Sequence, residues 1–155
     1  GESPNTVRSY RSGLRYWAAW FRLRYDQPLA LPLPVTVVLQ FIVDHAQRLD
    51  ESGRLVHELP ATVDAALVAA GQKAEPGAPA LATLIHRISV LSKVHQLQGL
   101  PNPCGDGRVR ELLSRTRRGY ARRGTQQVNA KPARLLAHGS GITGHICSVL
   151  SSAQG

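Results

Sequence analysis

Methionine is absent from the 155 residues, cysteine occurs twice, aromatic residues make up 5%, and 10 acids stand against 19 lysines and arginines. Each shortage excludes something. Cys104 and Cys147 are too few for a disulfide framework and fit no metal-ligand spacing, which points to a reducing cytoplasm. His45, His57, His138 and His145 have no coherent metal spacing either, so no metal or other cofactor is expected. No apolar run approaches a membrane span, no signal peptide is visible and no internal repeat is evident. The lack of Met even at position 1, with a leading Gly, points to a processed or excised piece whose biological start lies upstream.

What is present is a basic chain with a core. Hydrophobic residues reach 43%, enough for one compact domain, and the net charge of +9 favours nucleic acid, an anionic surface or an acidic protein. The charge is uneven. Residues 26 to 80 hold seven acids and three bases, whereas residues 108 to 134 hold nine bases against Glu111 alone.

Residues 3 to 25 carry the most information. Ser3 then Pro4 reads as an N-cap with proline in the first turn. Val7, Tyr10, Leu14, Trp17 and Phe21 recur at steps of three and four and line one helix face. Arg8, Arg11, Arg15 and Arg22 form a second stripe, roughly 110° around the helix at about 100° per residue. Tyr10, Trp17, Trp20 and Phe21 are expected in the core, and the arginines are free to meet a polyanion.

Pro28, Pro32 and Pro34 make a stiff connector. The run from Val35 to about Leu49 reads as a helix, although its β-branched residues also suit a strand. Residues 50 to 59 read as a polar loop, a short Ala-rich helix runs from Pro60 or Thr62 to near Gly71, and 72 to 79 is a linker. A helix from 80 to 98 buries Leu81, Leu84, Ile88, Leu91, Val94 and Leu97, with His95 as a buried, hydrogen-bonded residue and Gly99 as the C-terminal cap. A last helix spans about 107 to 123, with Val109, Leu112, Leu113 and Tyr120 inward. A basic tether to Leu136 and a Gly/Ser-rich tail, 137 to 155, follow; the tail reads as disordered or non-native, from a frame shift, a degenerate gene or a vector. The fold class is therefore all-α, a compact bundle of four to five helices.

Three segments in this order resemble the N-terminal core-binding (SAM-like) domain of tyrosine recombinases, the phage integrase and Cre-like group. They are Asn5-Thr-Val-Arg-Ser-Tyr leading into Tyr16-Trp-Ala-Ala-Trp, then Thr83 to His95 with Gly99-Leu-Pro-Asn-Pro103, then Val109 to Arg123 with Lys131-Pro-Ala-Arg134. The resemblance implies a helical clamp on duplex DNA at a recombination site. It would work with a catalytic domain of the same parent, as a homo-oligomer on DNA, as a cytoplasmic, nucleoid-associated protein of bacterial or phage origin.

By the same resemblance, the major-groove positions fall on Arg8, Ser9, Arg11, Ser12 and Arg15, and on Thr83, His86 and Arg87. Arg115, Arg117 and Arg118 match positions near the sugar-phosphate backbone. Arg122, Arg123 and Lys131, in the basic terminal segment, suit phosphate contact rather than base reading. Ala82 departs from the pattern, where a longer polar residue is common, and the acidic 50 to 75 stretch is longer and is expected to add a helix facing away from DNA.

No catalytic residue is expected in this chain. The family's tyrosine, two arginines, lysine and histidine lie in a separate domain. His45-Ala-Gln-Arg48 has the His-x-x-Arg spacing of that domain, but it precedes the DNA-reading region and no matching tyrosine signature follows. The competing expectation is a stand-alone basic helical module that meets an acidic protein or an anionic surface.

Overall fold

The computed structural model describes residues 3–124. In chain order it contains α1 (Pro4–Tyr25), α2 (Val35–His45), a two-stranded hairpin of β1 (Arg48–Leu49) and β2 (Leu55–Val56), α3 (Ala61–Ala69), α4 (Leu81–Leu97), a 3-10 turn at Pro103–Gly105 and α5 (Gly107–Gly124). The expected all-α bundle is what forms. Lys131, Cys147 and the tether and tail from 125 onward lie outside the described residues.

Helix α1 starts as its first residues dictate. Ser3 Oγ accepts the Thr6 N–H at 3.1 Å, and Pro4 occupies the first turn, where its missing N–H costs nothing. It ends at Asp26, whose left-handed backbone (φ 54) returns an N–H to Arg22 O at 2.9 Å. Helix α1 packs against both α3 and α4, so its buried face is wider than the expected stripe. Tyr10, Leu14, Trp17 and Trp20 are buried as expected, Tyr16 is buried as well, and Val7 and Phe21, expected inward, are only half-buried.

The core stacks Trp17 on Phe41 at 3.7 Å between ring centroids and closes around Val38, Ile42, Leu67, Leu84, Leu91 and Val94. Each buried indole N–H has a partner, as burial of a polar group requires. Trp17 Nε1 donates to Arg87 O at 2.7 Å, and Trp20 Nε1 donates to Asp44 Oδ2 at 2.9 Å. Asp44, fully buried, also accepts from Arg24 at 2.9 and 3.1 Å and from Gln40 Nε2 at 2.7 Å.

Close approach of α1 and α4 depends on Gly13. A Cβ there would lie 3.0 and 3.3 Å from the two Val90 methyl carbons. The helix-propensity gain of Gly13→Ala, about 1 kcal/mol, is opposed by overpacking that costs about 1–3 kcal/mol. Gly13→Ala is expected to lose stability, and Gly13→Leu to lose more, in urea unfolding. Val90→Ala should relieve the first, making the double variant more stable than the sum of the single losses. Strict additivity would contradict the contact.

Two expectations need correction. Helix α2 stops at His45 instead of reaching 49, and the expected polar loop at 50 to 59 contains a strand. The reason is the turn chemistry at its tip. Asp50 Oδ1 accepts the N–H groups of Ser52 and Arg54 at 2.9 Å each, and Gly53 supplies the positive φ (82°). That turn pairs Arg48 with Val56 and Leu49 with Leu55.

The acidic 50 to 75 stretch does include a helix, α3, but Asp64 points inward and takes the Lys73 ammonium and the Gly77 N–H, which clasps the linker before α4. Helix α4 closes as expected at Gly99 (φ 66), with Leu100 N–H on His95 O at 2.9 Å. Tyr120 locks α5 to the bundle: its hydroxyl accepts from Gln47 N–H and donates to Pro79 O, both at 3.0 Å.

Candidate functional site

The site is built on α1. Arg8, Ser12, Arg15 and Arg22 are exposed and Arg11 is half-buried, so the stripe predicted from spacing exists as a surface. Among the described residues, none of these four arginines forms an ion pair. The Nε of Arg11 is buried and has no hydrogen-bond partner. The first turn of α1 carries no acid, so the helix dipole leaves its N-terminal end electropositive. Arg24 is the exception along α1: it turns inward to Asp44, whose side-chain hydrogen bond raises the guanidinium's pKa.

The remaining groove positions divide. Ser9 is half-buried and its hydroxyl is hydrogen-bonded to His86 Nε2 at 2.8 Å, so the pair ties α1 to α4. His86 is 3% exposed with its ring edge-on to Tyr10, which corrects its expected position on an open face. Arg87 is corrected as well. Its guanidinium lies 3.5 Å over the Tyr16 ring, a cation–π contact, and burial lowers its pKa. Both follow from register: Arg87 sits three residues after Leu84 and four before Leu91, on the face that Leu84, Leu91 and Val94 bury, and His86 sits four residues before the buried Val90. Thr83, at the start of α4, is half-exposed.

On α5, Arg115, Arg117, Arg118 and Arg122 are exposed as expected, with Arg115 3.8 Å from Glu111. Arg110 is exposed too, and Arg108 is held by Asp106 at 3.1 Å. Arg123 departs from the expected phosphate-facing set. It donates to Gln47 O, lies 5.0 Å from the Tyr120 ring centroid and buries an unpartnered Nε.

His45 and His95 are buried structural groups. His45 Nδ1–H donates to Phe41 O at 2.7 Å, and its Nε2 accepts the Tyr16 hydroxyl at 2.6 Å. Burial lowers its pKa to about 3, so the ring is neutral. His95 is likewise engaged on both nitrogens, by Leu91 O at 2.8 Å and the Leu33 N–H at 3.1 Å, as its sequence position suggested. Arg48, three residues after His45, is exposed and paired with Glu58, so the two do not converge on a common point. The half-buried Cys104 thiol is pushed up to about 12 by burial, which keeps it from acting as a thiolate.

Among the described residues no group of three or more His, Cys, Asp or Glu side chains could hold a metal ion. No helix among them is long and apolar enough to cross a membrane. The residues that sequence reasoning passed over are Asp44, Arg24 and Tyr16. Asp44 lies three residues after Phe41 and seven after Val37, inside the apolar register of α2, which is the one signal of its burial. The chain matches no protein-family model, no curated protein and no solved structure.

Proposed function

We propose that this chain binds duplex DNA as the N-terminal clamp of a tyrosine recombinase and has no bond-breaking chemistry of its own. The observation that carries the reading is the α1 stripe: four guanidiniums on one rigid helix, none neutralised by a carboxylate among the described residues. Arg8 to Arg22 spans about 21 Å at 1.5 Å per residue, well short of the roughly 34 Å of one duplex turn. A helix fits the major groove, about 12 Å wide. Laid there, its end arginines, Arg8 and Arg22, reach phosphates, while Arg11, Ser12 and Arg15 face base edges and Thr83 flanks them. His86, Ser9 and Arg87 serve indirectly by fixing α1 on α4. Arg117 and Arg118 add phosphate contacts from α5. Arg115, Arg122 and Arg123 border a groove with an apolar floor, a poorer match to a sugar-phosphate backbone.

The reading implies a cytoplasmic, nucleoid-associated protein that acts with a catalytic domain of its parent and assembles on a recombination site as a homo-oligomer. Selection from a pool of random duplexes tests it. Recovery of a defined inverted-repeat site, bound more tightly than random duplex or heparin, is the expected result. Equal binding to heparin, anionic vesicles and every duplex would favour the module that meets acidic surfaces.

A further inference from the structure

A second surface lies apart from the α1 stripe. The C-terminal end of α2, the hairpin and α5 enclose an open groove of about 690 Å³. Its floor is aliphatic, from Ile42, Val43, Leu49 and Leu112. Its rim is basic, with Arg48, Arg115, Arg122 and Arg123 against Glu58 alone. Four large apolar side chains are exposed in the described residues, and three of them are at this end of the molecule: Val43 (41%), Leu49 (49%) and Leu55 (40%). Leu49 and Leu55 are partners across the hairpin, so their exposed side chains form one patch that continues from the groove. Scattered apolar residues on a surface need no explanation, but a contiguous patch ringed by charge marks an interaction site.

The chemistry selects the occupant. Duplex DNA matches the rim but offers almost no aliphatic surface beyond the thymine methyl to cover the floor. An apolar peptide matches the floor but offers nothing to a rim that carries four guanidiniums and one carboxylate. We infer that the groove docks an acidic amphipathic helix of a partner protein, with its leucine-like stripe on Val43, Leu49 and Leu112 and its carboxylates on the arginine rim. The groove is ready to receive it. Arg48–Glu58 and Arg115–Glu111 are exposed pairs that contribute little and can exchange for a partner's carboxylates. Burial of the aliphatic stripe supplies the affinity, and the rim sets orientation and on-rate.

The test uses the full chain and a labelled synthetic peptide, helical, about five turns long, with leucines at i, i+3, i+4 and i+7 and glutamates flanking them. Controls are a scrambled peptide of the same composition and one with lysine for glutamate. Leu49→Asp and Val43→Asp change exposed side chains, and circular dichroism checks that both variants fold. The stripe peptide should bind, both variants should weaken it about tenfold or more, and neither control should bind comparably. Duplex affinity should not change in Leu49→Asp. Four results would overturn the inference: equal binding of the scrambled peptide, no binding at about 1 mM, Leu49→Asp weakening duplex and peptide alike, or self-association of the chain that Leu49→Asp abolishes. The third would make the face part of the DNA surface, and the fourth would make a second copy its occupant.

Discussion

Exchanging Arg8 and Arg15 for glutamate should weaken duplex binding on the order of 100-fold at about 0.1 M salt, with the fold intact. The magnitude follows from two charge-assisted hydrogen bonds at about 1.5 kcal/mol each, where 1.4 kcal/mol is tenfold in affinity. The fold should survive because both side chains are exposed, and among the described residues neither has a hydrogen bond or ion pair to lose. If Arg8 holds phosphate and Arg15 faces bases, the single variants differ in kind. Arg8→Ala should weaken all duplexes alike and flatten the salt dependence by about 0.9 in log–log slope. Arg15→Ala should relax the choice of sequence at one position by about 1–3 kcal/mol. Arg87→Ala is expected to act differently again. It removes a guanidinium from the Tyr16 ring and should lower the melting temperature along with any effect on DNA. Loss of affinity in Arg87→Ala at unchanged stability would return Arg87 to the DNA-reading face.

Mild acid should destabilise the domain through its buried histidines. His45 is neutral in the fold, its pKa lowered by burial to about 3, while in the unfolded chain it titrates near the ordinary value of 6.5. The unfolded state therefore binds more protons between these two values, and stability falls as pH falls through that window. The stabilisation is complete above about pH 6.5, and by pH 4.5 the loss reaches about 3 kcal/mol, at 1.36 kcal/mol per pH unit. Burial lowers the pKa of His95 too, so it adds in the same direction. Asp64, held low by Lys73 and the Gly77 N–H against its desolvation, loses its contribution only at lower pH, below the ordinary carboxylate range. Urea unfolding at pH 7.5 and pH 4.5 measures the effect. His45→Gln, less stable at neutral pH because the Tyr16 hydroxyl and Phe41 carbonyl lose their ring partner, should show a flatter pH dependence. Equal stability of the parent chain at the two pH values would contradict a neutral, buried His45.

Local signals made the helices and their ends legible. Ser3-Pro4 starts α1, Gly99 ends α4, and the three-four spacing of Tyr10, Leu14 and Trp17 gives the buried side of α1. The hairpin was not legible because its strands are two residues each, too short for any period, and only Asp50 and Gly53 mark its turn. Tyr16 was hidden because it lies off the apolar stripe of α1; the helix also meets α2, α3 and α4, and Tyr16 is buried against His45 and Arg87. The groove positions on α4 came from resemblance, and the helix's own periodicity already spoke against two of them, His86 and Arg87. Arg87 shares a face with Leu84, Leu91 and Val94, and His86 faces Ser9. A polar residue in an apolar register was the available sign, for Arg87 in α4 as for Asp44 in α2. The exposed part of the site, Arg8, Ser12, Arg15 and Arg22, was legible because nothing in the fold competes for those side chains.

Binding of the intact chain to its preferred duplex, followed from about 0.05 to 0.3 M salt, tests the central claim most directly. Four phosphate-facing cations, Arg8, Arg22, Arg117 and Arg118, predict a log–log slope of about −3.6, reduced in magnitude by about 0.9 in the Arg8→Glu, Arg15→Glu double variant. A slope shallower than about −2, or one that the double variant leaves unchanged, would contradict a DNA clamp built on α1.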